Sequence, residues 1–139
     1  MKIYATSSDI VADVYFVLRT FFAGKVSGKV YRSDSRPLDS KTEDVVIGFS
    51  NGDADQIQEG DLHVNVFIPD IDNNSGTKVP DYGRIDTISD YGDDMIDELN
   101  NTYIDDYLFE LGKATDSFAE KETNEHFVAF YVHFKRKTF

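Results

Sequence analysis

Gly60-Asp61-Leu62-His63-Val64-Asn65-Val66-Phe67-Ile68-Pro69 alternates strictly. Leu62, Val64, Val66 and Ile68 point one way, and His63, Asn65 and Phe67 the other. A period of two marks a strand with one face on a core. Upstream, the chain reads as strand, long polar loop, strand. The first strand is Lys29 to Arg32, the loop Ser33 to Thr42, and the second strand Glu43 to Ser50. A turn then leads into the alternating strand.

Before the sheet comes a helix, Ser8 to Phe22. Thr6, Ser7 and Ser8 offer cap residues ahead of Asp9, whose charge suits a helix N-terminus. Ile10, Val11, Val14, Val17, Leu18, Phe21 and Phe22 recur at helical spacing, and Gly24 follows as a stop. After the turn cluster Pro80-Asp81-Tyr82-Gly83, a second helical stripe runs through Ile85, Ile88, Met95, Ile96 and Leu99. Gly92 is its weak point and Asn100-Asn101 its end. Tyr107 to Leu111 reads as a short strand, and Ser117-Phe118-Ala119 as partly extended. His126 to Lys135 is a long strand with apolar residues on both faces, the pattern of a central strand covered on both sides. The periods shift from helix to strand at Gly24 and back near Arg84. They predict one α+β domain over residues 1–139: an antiparallel sheet of about four to six strands with two packed helices.

Composition excludes several classes. The 139 residues contain no Cys, so disulfides, thiolate metal sites and cysteine nucleophiles are absent. The N-terminal residues carry no signal-peptide pattern, and no run approaches the ~20 apolar residues of a membrane span. The net charge of −12 is concentrated in residues 51–110, where sixteen acids face only Lys78 and Arg84. Such a surface repels nucleic acid and anionic membranes. The bland reading is a solvated face. The sharper reading is a negative surface for a basic partner, or for a lumen through which DNA slides without sticking. Lys135-Arg136-Lys137 either solvates a strand end or meets the acid block of a neighbouring subunit.

Candidate chemistry is sparse. Asp70-Ile71-Asp72-Asn73-Asn74-Ser75-Gly76, with Asp81 at position twelve, approximates a calcium loop. The glycine comes one residue late and the last ligand is Asp rather than Glu, so the reading is an Asx-turn loop. His126 and His133 are seven apart on one strand and face opposite ways, away from any shared site with His63. No P-loop, Rossmann glycine pattern, Gly-x-Ser-x-Gly or His-Glu-x-x-His occurs. The expectation is a protein that is not an enzyme, with no catalytic residue, no cofactor and no metal.

Four segments carry a resemblance: a helix ending Arg19-Thr20-Phe21-Phe22; Gly28-Lys29-Val30-Tyr31-Arg32; Arg36-Pro37-x-x-Ser40-x-x-Glu43-Asp44-Val45-Val46-Ile47; and Gln58-Glu59-Gly60-Asp61-Leu62-x-Val64-Asn65-Val66. At the level of pattern over most of the chain, they resemble the small tail-completion proteins of tailed bacteriophages, the tail-terminator and neck rings between head and tail. The resemblance implies an N-terminal helix, a three-strand meander, a second helix and a closing pair of strands. It also implies a virion structural protein assembled in the bacterial cytoplasm. Such a protein partners itself in a ring, hexameric by analogy, and touches neighbouring neck and tail proteins, with DNA only passing through the channel. In such a ring Lys25, Lys29, Arg32 and Arg36 of one subunit would face Asp93, Asp94, Asp97, Glu98, Asp105 and Asp106 of the next, and the Ser33 to Thr42 loop would grip a neighbour. The competing reading is a monomeric acidic interaction protein, such as a DNA mimic that blocks a host nucleic-acid-binding protein. Basic residues near both chain ends are wasted in a mimic, which favours the ring.

Overall fold

The computed structural model describes residues 5–53 and 58–137. Helix α1 spans Ser7–Phe21 and three strands follow: β1 Val30–Arg32, β2 Val45–Asp53 and β3 Gln58–Pro69. A small hairpin, β4 Ile71–Asp72 with β5 Lys78–Val79, leads to helices α2 Tyr82–Ser89 and α3 Gly92–Thr102. Then come β6 Tyr107–Leu111, β7 Asp116–Glu120, a 3-10 turn Lys121–Thr123, and β8 Glu125–Arg136. This is an α+β fold built on a six-stranded sheet of order β1-β2-β3-β8-β6, with β7 also paired to β8. β6 pairs with residues 132–136 of β8 and β7 with residues 125–129, so the two lie end to end along one side of it. The turn expected between the second and third strands falls on residues 54–57, outside the described residues.

Helix α1 forms where its cap signals place it. Thr6 accepts from the Asp9 backbone, and the Asp9 carboxylate accepts from the Thr6 N–H, which closes a capping box. The chain turns out of the helix through Gly24, whose φ of 81° suits a residue without Cβ. All three helices cover one face of the sheet: α1 lies on β1 and β2, α2 on β3 and β8, and α3 on β6. One apolar cluster fills the space between, including Ile10, Val14 and Leu18 from α1, Leu62, Val64, Val66 and Ile68 from β3, and Phe130, Val132 and Phe134 from β8.

Three expectations change. The first two strands are not part of a meander: β1 and β2 run parallel, with Val30 opposite Val45. Parallel neighbours require a crossover, and residues 33–44 supply it. They pass over the sheet face away from the helices, where the Arg36 guanidinium lies 4.3 Å from the centre of the Phe67 ring. The second helix is two helices, broken at Asp90–Tyr91. Gly92 opens α3 pressed against Phe130, and a Cβ there would sit 3.2 Å from the ring. Finally, β8 is buried on its helix face and only partly covered on the other, where Ala129 is buried and Phe127, Tyr131 and His133 are half-buried.

Candidate subunit interface

Two adjacent acids organise this end of the molecule. Glu43 and Asp44 immediately precede β2, both buried, and being neighbours in extended chain they point to opposite sides. Glu43 meets α2: Arg84 donates to its two oxygens at 2.7 and 2.9 Å and also reaches the Lys25 carbonyl. Asp44 meets the crossover. It accepts from Arg36 Nε at 2.9 Å, from the hydroxyls of Ser40 and Thr42, and from the Lys29 backbone. Arg36 also donates to Glu125, at 2.6 Å. Gly28 has to be glycine here, because a Cβ would lie 1.9 Å from the Asp44 carboxylate.

Burial alone would raise the Asp44 carboxyl. The hydrogen bonds from Ser40, Arg36, Thr42 and Lys29 outweigh it and hold the group below its ordinary range. A lowered carboxyl contributes stability that is fully present above the unfolded value, about 3.9, and is lost as pH falls through the folded value. Asp44→Asn is therefore expected to be less stable at pH 7 and to lose less stability between pH 6 and 3. Urea midpoints at each pH check this; an acid limb as steep as the parent's contradicts it.

Arg36 is thus spent inside its own chain and does not join a basic interface patch. The crossover it anchors keeps its tip outside: Leu38 is 100 % exposed. Arg136 is likewise buried, so the Lys135-Arg136-Lys137 end is not a free basic tail. Lys25 donates to the Phe21 carbonyl at 2.8 Å and lies over that ring. Lys29 and Arg32 remain exposed at the β1 edge, and Arg32 lies over Tyr15. Sequence reasoning missed Arg19, which joins them there, exposed, against the rings of Tyr15 and Phe16. Between α1 and β1 runs a cleft of about 270 Å³, lined by Tyr15, Phe22, Ala23 and Val26 and rimmed by Arg19 and Lys29.

The acids gather at the other end. Asp93, Asp94, Asp97 and Glu98 are exposed on α3, and Asp105 is exposed on the turn into β6. Asp106 is half-buried. Beside that turn opens a cavity of about 470 Å³ lined by Asp9, Asp13, Tyr103, Asp106, Tyr107 and Arg136. Its tyrosines donate to Asp13, Tyr107 to the carboxylate at 2.7 Å and Tyr103 to the backbone carbonyl at 2.9 Å. Burial, with Asp13 beside it, pushes Tyr103 up to about 12.

The remaining candidates hydrogen-bond to their neighbours within the fold. Asp72 accepts from the Asn74 and Gly76 backbones, Asn73 from Ser75, Asp70 binds His126, and Asp81 caps α2. The calcium-like loop is a hairpin of Asx turns. His63 bonds Ser50 over Gly48, and His133 sits between Asp61 and Glu59, so each of the three histidines keeps separate company. Among the described residues no three metal-ligating side chains of His, Asp or Glu converge, and no helix is long and apolar enough to cross a membrane. No protein-family model matches the chain, and no curated protein matches it either.

Proposed function

We propose that this chain is a structural protein of a tailed-phage virion, a ring-forming tail-completion or neck component that works by repeated contact with copies of itself. One observation carries the reading: along the strand order a cluster of cations lies at the β1 edge, and the acids of α3 gather at the far edge, where Lys135 and Lys137 are also exposed. The β1 edge holds Arg19, Lys29 and Arg32, while α3 and the turn before β6, at the opposite edge, hold Asp93, Asp94, Asp97, Glu98 and Asp105. A surface complementary to the far side of the same molecule is what a heterologous, head-to-tail contact needs, and such contacts close into rings when the rotation permits. Exposed charges of this kind set register and association rate more than affinity, and they weaken with salt. The ring reading requires no catalytic centre.

The test is deletion of the gene from the phage that carries it. Heads filled with DNA but not joined to finished tails are expected, with rescue by the chain supplied in trans. Normal tails joined to full heads would sink the proposal.

A further inference from the structure

The charge arrangement leaves open which apolar contact holds neighbours together. At the acidic end, the outer side of β6 is already occupied. Asn100 of α3 donates to the Phe109 carbonyl at 2.9 Å and accepts from the Phe109 N–H at 2.8 Å. An amide bonded to both backbone groups blocks strand addition at that point, a common way to close a sheet edge. Just before β6, by contrast, Ile104 is 66 % exposed with Asp105 beside it. Its turn is firmly held. The Asp106 N–H donates to the Tyr103 carbonyl, the Lys137 N–H donates to Asp106, and the Lys137 ammonium donates to the Ile104 carbonyl at 3.1 Å. An aliphatic side chain on a pinned turn loses little freedom on docking.

At the opposite edge lies the complement. The cleft between α1 and β1 is lined by the apolar residues Phe22, Ala23 and Val26 and by the cations Arg19 and Lys29. At about 270 Å³ it is smaller than the usual small-molecule pocket of roughly 300–1,000 Å³, and it suits one protruding side chain. Arg and Tyr at its mouth are residue types that dominate interface energetics.

We infer that the Ile104 turn of one copy seats in the α1–β1 cleft of the next, with Asp105 meeting Arg19 or Lys29. This rests on the ring proposed above and names its contact. Charge complementarity selects a second copy as the occupant, because knob and cleft are carried by one chain on opposite edges. Within one molecule Tyr103 and Tyr107 bond Asp13 on one side of α1, and the cleft opens beside Tyr15 and Arg19 on its other side, toward β1.

The absence of cysteine makes the test clean. Ile104→Cys and Ala23→Cys are made singly and together in the full chain and oxidised gently, and mass is followed by light scattering. Disulfides need Cα atoms within about 7 Å. The double variant is expected to give a ladder of linked multimers. A mixture of the two single variants is expected to give mixed dimers at least about tenfold faster than Ala23→Cys mixed with Ala114→Cys, the gain expected from a high effective concentration at a formed contact. An oligomeric protein that forms no ladder overturns this contact and leaves the ring standing. A monomer that forms no ladder overturns both. Rapid Ile104→Cys homodimers indicate a two-fold contact and overturn the head-to-tail seat.

Discussion

Arg36→Ala is expected to lower stability by about 3–5 kcal/mol. The guanidinium joins Asp44 and Glu125, whose side chains are 1 % and 4 % exposed. Its loss leaves two carboxylates side by side, with little water to solvate them. Removing one partner from a buried ionic group costs far more than the same change at the surface, where pairs are worth about 0–1 kcal/mol. The crossover also loses its packing on Phe67, and Ser40 and Thr42 lose the arrangement that holds the tip at Leu38. Denaturant unfolding at pH 7 measures the effect as a shift in midpoint at constant slope. A double-mutant cycle with Glu125→Gln should show strong coupling, because the glutamine removes one of the stranded charges. A loss under about 1 kcal/mol would place Arg36 among the exposed pairs and contradict the geometry.

Phe130→Ala is expected to cost about 3–5 kcal/mol. Phe130 is fully buried at the middle of β8, opposite Val64 in the register and directly beneath Gly92. Backbone on either side keeps the site from collapsing, so the lost transfer energy is joined by the cost of a cavity. Phe16, 56 % exposed on α1, is the contrast: its alanine variant should stay within about 0.5 kcal/mol of the parent. Equal losses at the two positions would contradict the assignment of the core.

The elements legible in the sequence are those whose information is local. The alternation of Leu62 to Ile68 marks β3 and its buried face; the cap candidates Thr6 to Ser8 ahead of Asp9 and the apolar stripe after them mark α1. Tyr107 to Leu111 was readable for the same reason. What was hidden depends on partners far along the chain. Nothing near Arg36 announces Glu125, 89 residues away, so it read as a free cation on an exposed loop. Glu43 and Asp44 read as the polar start of a strand, because two adjacent acids carry no sign that Arg84 and Arg36 approach from opposite sides. The parallel pairing of β1 and β2 was masked by a polar connection that also fits a hairpin excursion. Gly92 was legible as the weak point of the second helical stripe, but not its seat on Phe130, a tertiary contact at the start of α3. At the proposed interface, the concentration of acids was visible in the sequence. The cleft was not, since Tyr15 and Arg19 belong to α1 and Val26 and Lys29 to the segment entering β1, and only the fold brings them together.

Self-association through opposite edges is the central claim, and native mass spectrometry of the full chain tests it most directly. At high concentration and low ionic strength, one closed multiple of the 15.8 kDa subunit is expected, six by analogy with tail terminators, and it should fall apart as salt is raised. A monomer at every concentration, or a dimer that never grows, would contradict it.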